Sequence, residues 1–135
     1  MLVTHNTKIN VSIEKIWDTL KSFDKVESYM PIVSSTLVKG SGQGAKRICD
    51  ISLGTQIYKI REKLVSLDDL NHLLAISVED GPIQMRGIIF TIVLEKIEEQ
   101  KTDVTITTNV ENSLAVAFSQ NIFAMMGTGL KKLYE

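Results

Sequence analysis

Residues 113–134 read SLAVAFSQNIFAMMGTGLKKLY. Within them Leu114, Phe118, Ile122, Met125, Gly129 and Leu133 recur at steps of three and four, the spacing of one helical face. Asn112 or Ser113 stands where an N-cap must accept a free backbone N–H. The spacing therefore predicts a long amphipathic helix over 113–134. Gly127 and Gly129 each cost a helix about 1 kcal/mol relative to Ala. Their presence points to close packing, a bend, or a wall that leaves room.

Upstream of this helix the period changes from 3.6 to 2. From Ile32 to about Asn112 the chain reads as strands separated by turn residues. The predicted strands are 32–39, 45–53, 56–68, 72–80, 83–97 and 102–111. The breaks are Gly40 to Gly44, Gly54, Asp68-Asp69-Leu70-Asn71, Asp80-Gly81-Pro82 and Glu98 to Lys101. Links this short force hairpins, so the sheet is antiparallel. The Gly40-Ser41-Gly42-Gln43-Gly44 stretch resembles a phosphate cradle only superficially. That use needs a following helix N-terminus, whereas Lys46 to Leu53 continues as a strand.

At the N-terminal end, residues 2–11 (LVTHNTKINV) are rich in β-branched types and predict a further strand. Ser12 is placed to cap a helix whose apolar face is Ile13, Ile16, Trp17 and Leu20. A second short helix is expected around Phe23, Val26, Tyr29 and Met30, stopped by Pro31. The order is strand, two short helices, six strands, long helix. The expected fold is one α+β domain over 1–135, with a curved antiparallel sheet of about seven strands. Its apolar face needs cover, and only the C-terminal helix is long enough to supply it.

Composition limits the functions available. Charged residues are 23% and the formal net charge is −1 over 135 residues, so the chain lacks the general excess of Lys and Arg that draws nucleic acid or anionic membranes. The longest apolar run, Ile88 to Leu94, is broken by Thr91 and falls far short of the roughly 20 residues of a membrane span. The first residues do not pair a basic stretch with a long apolar run, and Cys49 is the sole cysteine. These features predict a cytoplasmic protein without stable membrane insertion or nucleic-acid partner, a monomer or weak homodimer. His5 and His72 are the only histidines. Neither sits in a metal-binding spacing, so no metal and no cofactor is expected.

Alternation along the strands sorts inward from outward side chains. In Tyr58-Lys59-Ile60-Arg61-Glu62-Lys63-Leu64 the cations share the wet face, which leaves Glu62 inward with Tyr58, Ile60 and Leu64. A carboxylate on an apolar face is costly unless paired or hydrogen-bonded. It is a polar anchor or general acid/base for a bound molecule, or a structural partner of Arg47 or of a backbone donor. Arg47 shares parity with Cys49, Ile51 and Leu53, so it too points inward or snorkels at the barrel mouth. Cys49 reads as a small buried hydrophobe rather than a nucleophile. Ile76, Val78 and Thr108 complete the inward strand positions of interest. Met85, Ile88, Phe90, Phe118, Ile122, Met125 and Met126 form a flexible apolar group. Of these, all but Met126 join Gly129 in the expected pocket wall.

Three motifs carry a family resemblance. Val11-Ser12-Ile13-Glu14-Lys15-Ile16-Trp17 resembles a first helix ending in an aliphatic–Trp pair. Gly40 to Arg47 resembles a G-x-G-x-G-x-x-R hairpin, and Ile60 to Leu64 with Leu67-Asp68-Asp69 resembles an E-R-L…L-D-D strand and turn. In this order the chain resembles the START-like (SRPBCC) superfamily over nearly its whole length, closest to its polyketide cyclase/dehydrase branch. The resemblance implies a helix-grip fold, in which the sheet wraps around the C-terminal helix. It implies an apolar or amphipathic ligand of lipid, polyketide or aromatic type, held between sheet and helix. The alternatives are a cyclase/dehydrase acting on a polyketide-like substrate, with at least two convergent polar groups, and an interaction module with a filled core. Abscisic acid receptors of the superfamily carry a gate loop that falls near Ser52-Leu53-Gly54, where this chain has a tight turn. A gated receptor is therefore not expected.

Overall fold

The computed structural model describes residues 1–135. Its elements are β1 (Leu2–Ile9), α1 (Ile13–Lys21), one 3-10 turn (Val26–Ser28), β2 (Val33–Lys39), β3 (Lys46–Leu53), β4 (Gln56–Asp68), β5 (Leu73–Asp80), β6 (Ile89–Glu98), β7 (Lys101–Asn109) and α2 (Ser113–Tyr134). The seven strands form one antiparallel sheet in the order β1-β7-β6-β5-β4-β3-β2. Each hairpin link places sequence neighbours side by side, and β1 returns to pair with β7. The two edges of the sheet are thus β1 and β2. No helix is long and apolar enough to cross a membrane.

Caps and turns sit where local chemistry puts them. The Ser12 hydroxyl accepts from Lys15 N–H at the start of α1, and the Asn112 side chain accepts from Ala115 N–H at the start of α2. The Gly40–Gly44 segment closes the β2–β3 hairpin with φ of 84°, 71° and 94° at its three glycines, values that side chains rarely adopt. Ile13, Ile16, Trp17 and Leu20 are buried as their spacing predicts. Trp17 also donates from Nε1 to Asp69 Oδ1 at 2.8 Å and meets His72 edge-on, with ring centroids 5.3 Å apart. The turn between β4 and β5 therefore holds α1 onto the sheet.

Three elements differ from the expectation. The second short helix is only a single 3-10 turn. The sixth strand begins at Ile89, not at 83, because Pro82 starts a folded turn. Met85 and Arg86 N–H both donate to Pro82 O, and Gly87 N–H returns to Val78 O. The buried stripe of α2 is also rotated. It runs through Ser119, Phe123, Met126, Gly127 and Leu130, whereas Leu114 is 73% exposed and Leu133 40%. Apolar doublets such as Met125-Met126 make two adjacent stripes equally plausible by period, and packing selects one.

Gly129, expected in the pocket wall, instead lies against the backbone of Tyr29. A Cβ there would overlap the Tyr29 carbonyl oxygen. Gly127 likewise leaves room for the His5 ring. The glycines let α2 approach the segment after α1 and the edge strand β1.

Replacing a helical Gly with Ala ordinarily stabilises by about 1 kcal/mol. Gly129→Ala is expected to do the reverse, lowering unfolding free energy by roughly 1–3 kcal/mol through overpacking against backbone. Urea unfolding checks this; an unchanged or raised midpoint contradicts the packing.

Candidate functional site

The inner face of β3 and β4 is built by alternation and register. Arg47 on β3 pairs with Glu62 on β4, Cys49 with Ile60, and Ile51 with Tyr58. Arg47 and Glu62 thus stand directly opposite on the covered face, 3% and 8% exposed. Arg47 Nε donates to Glu62 Oε1 at 2.8 Å. Arg47 Nη1 donates to Phe23 O at 3.2 Å, and the guanidinium carbon lies 4.1 Å from the centroid of the Phe23 ring. Phe23 has φ of 69°, a left-handed conformation unusual for a bulky side chain. Its carbonyl and ring are both held by Arg47, a contact that helps keep the backbone there.

This cluster sets the protonation of its neighbours. Burial acts to discharge Arg47, but Glu62 and Tyr29 beside it hold its pKa above the ordinary arginine value. Burial raises the Tyr29 hydroxyl, with Arg47 opposing. Burial also pushes the Cys49 thiol up to about 11, again against the pull of Arg47. Cys49 is a protonated wall residue at neutral pH, not a thiolate nucleophile.

Above the pair lies a cavity of about 60 Å³. Arg47, Cys49, Ile51, Ile60, Glu62, Val78 and Phe90 line it from the sheet. Met85 and Ile88 line it from the β5–β6 turn, and Phe118 and Ile122 from α2. Each belongs to the set expected from the sequence. Val26, Met30, Ile32, Val33, Ser119, Phe123 and Met126 line it as well and were not in that set. Val26 and Met30 bear a helical i, i+4 relation that signals an inward pair. Ser119, Phe123 and Met126 follow from the rotated stripe of α2.

Five expected residues do not line the cavity. Tyr58 is 36% exposed and its hydroxyl donates to Gln56, because the β3–β4 hairpin extends past the covered region. Ile76 is buried in the core between Leu64 and Phe90 in register, away from the lining. The Thr108 hydroxyl is spent on Ile89 O at 2.7 Å. Met125 is displaced by Met126, and Gly129 by its contact with Tyr29.

The space is much smaller than the roughly 300–1,000 Å³ of small-molecule sites and has room for a few waters. Its lining is apolar except for Arg47, Glu62, Ser119 and the thiol. No cluster of three or more His, Cys, Asp or Glu with metal-binding geometry occurs.

A model of the family described as "Polyketide cyclase / dehydrase and lipid transport" matches residues 2–135. The chain belongs to this family. An abscisic acid receptor of Arabidopsis thaliana is 30% identical over 95 residues, covering 69% of this chain and 50% of the receptor. The chain spans about half the length of the curated relatives it matches. Among solved structures, a START superfamily protein of Mycobacterium smegmatis superposes with TM-score 0.84 at 8% identity, covering 98% of this chain and 96% of its own. The Zhui aromatase/cyclase of a Streptomyces species superposes with TM-score 0.76 at 12% identity, covering 99% and 90%. These likenesses establish the START-like helix-grip fold. The family member described here closes its β3–β4 hairpin at Gly54-Thr55, with Leu53 paired to Gln56.

The Cys49 shift has a measurable consequence. A thiol whose folded value is raised stabilises the fold fully below the unfolded value near 9 and loses that contribution as pH climbs to about 11. Unfolding free energy of the wild type is expected to fall more steeply than that of Cys49→Ala between pH 9 and 10.5. The stability gap between them then shrinks; parallel curves contradict a buried, protonated thiol.

Proposed function

We propose that this protein binds one apolar or amphipathic small molecule, of lipid, polyketide or aromatic type, between the inner face of β3–β6 and the first half of α2. The observation that carries the reading is a mostly apolar cavity between sheet and α2 whose charged edge is the Arg47–Glu62 pair. That is the make-up of small-molecule sites, which are mostly apolar with few placed polar groups. The family's description names polyketides and lipid transport, and the receptor relative's name names abscisic acid; both support the same reading.

The cavity of about 60 Å³ holds no such molecule without widening. The side chains over it are suited to moving. Met85, Phe118 and Ile122 are only half-buried, and Met85 and Met126 are unbranched and flexible. Swinging them outward opens the space without breaking a sheet hydrogen bond. A binder is favoured over a cyclase because the sole carboxylate lining the cavity is already ion-paired through Oε1 with Arg47, and the thiol is protonated. General acid–base chemistry needs a group free to exchange a proton with substrate.

The small volume itself favours a second reading, a domain whose interior is filled and which acts through its surface. Titration of the wild type with cis-parinaric acid, 1-anilinonaphthalene-8-sulfonate and quercetin separates the two. A binder saturates with at least one probe at one equivalent and melts several degrees higher when loaded. Met126→Phe, which fills the space, then weakens that binding about tenfold or more. No saturable binding by the wild type supports the filled domain instead.

A further inference from the structure

Ser119 is the one polar residue that α2 contributes to the cavity lining. It is 3% exposed, and its Oγ has no hydrogen-bond partner. A serine within a helix ordinarily turns its hydroxyl to the carbonyl four residues back, and a buried hydroxyl left unpaired is destabilising. On the sheet side of the same cavity, Glu62 has a second unspent valence. Its Oε1 accepts from Arg47 Nε, and no protein donor reaches Oε2. Arg47 already donates from Nε to Glu62 and from Nη1 to Phe23 O, with its guanidinium over the Phe23 ring. The lining of one cavity therefore includes a carboxylate oxygen without a donor, on β4, and an unpaired hydroxyl, on α2, among apolar side chains.

One small group satisfies both. A hydroxyl donates one hydrogen bond and accepts others, so it gives its proton to Glu62 Oε2 and accepts from Ser119 Oγ. A ketone or ether accepts from Ser119 but leaves the carboxylate without a donor. A carboxylate brings a second negative charge beside Glu62. A hydrocarbon leaves both groups unpaired. We infer that the ligand is an alcohol or phenol on an apolar body, and that Ser119 and Glu62 select its hydroxyl. This rests on the binding reading above and narrows the class of molecule.

Three probes of one skeleton test it: 4-ethylphenol, 4-ethyltoluene, which replaces the hydroxyl with a methyl of similar size, and 4-ethylbenzoate. Their affinities are read from chemical-shift titrations of wild type and Ser119→Ala. The wild type is expected to prefer 4-ethylphenol over both others by about tenfold or more, because the analogues leave a buried polar group unpaired. Ser119→Ala should reduce that preference to about threefold or less, through a loss of 4-ethylphenol affinity rather than a gain for 4-ethylbenzoate. Ligand-free Ser119→Ala should melt at or above the wild-type temperature, because it removes an unpaired polar group and adds a better helix former. Equal affinity for phenol and toluene in the wild type overturns the inference. So does a preference that survives in Ser119→Ala, or a clear loss of ligand-free stability, which would mark the hydroxyl as a structural partner. Absence of binding by all three overturns it too. Saturation by the larger probes in that case leaves the binding reading standing.

Discussion

A guanidinium and a carboxylate meeting on the covered face of a sheet is the constraint around which this molecule is arranged. Burying either charge alone costs several kcal/mol. The register of β3 on β4 resolves this by setting Arg47 and Glu62 directly opposite, 2.8 Å apart. A second Arg47 donor, Nη1, reaches across to Phe23 O. That contact ties the sheet to the segment following α1, where Phe23 takes a left-handed backbone. The same segment carries Tyr29, whose backbone lies against Gly129 of α2. One ion pair thus links two central strands, the connection after α1 and, through Tyr29, the covering helix. Such a pair is weak evidence for net stability, and its value here lies in fixing which elements meet and where.

The pair also decides what kind of space is left. It satisfies much of its own demand and leaves Glu62 Oε2 without a protein donor in a cavity that Ser119 also lines. The rest of the lining is apolar and, on the side of α2 and the β5–β6 turn, adaptable. A rigid sheet face with a polar edge and a movable apolar cover suits recognition of a molecule's polar end, with the body accommodated by side-chain adjustment. The polar requirement is specific because unpaired buried polar groups are expensive, and the apolar requirement is permissive because dispersion contacts are not directional.

Much of this is legible from the amino-acid order. Period-two patterning and Gly/Asp/Pro turn residues mark the strands. The spacing of Ile13, Ile16, Trp17 and Leu20 marks the face of α1, and the parity of Arg47 and Glu62 marks both as inward. What the order leaves open is decided by tertiary packing. Whether Glu62 serves Arg47 or a ligand depends on cross-strand register, and alternation reports only the face. The inward stripe of α2 is ambiguous by one residue, because Phe118, Ile122 and Met125 are as apolar as Phe123 and Met126. Close approach to Tyr29 at Gly129 selects the stripe, and it brings in Ser119, a polar residue that hydrophobic periodicity passes over. Tyr58 has the right parity but sits too far along the hairpin, since alternation gives direction without depth. The β5–β6 turn hides in Ile83-Gln84-Met85-Arg86, whose alternation mimics a strand and which Pro82 and Gly87 fold back on itself.

A double-mutant cycle on Arg47 and Glu62 tests the central claim most directly. The account predicts that Arg47→Met and Glu62→Leu, made singly, each lower unfolding free energy by about 3–5 kcal/mol, because each leaves one buried charge unpaired. Made together, they should cost less than either alone, because apolar groups of similar size replace both charges. Additive losses, or single variants with near wild-type urea midpoints, would contradict an interior organised around that pair.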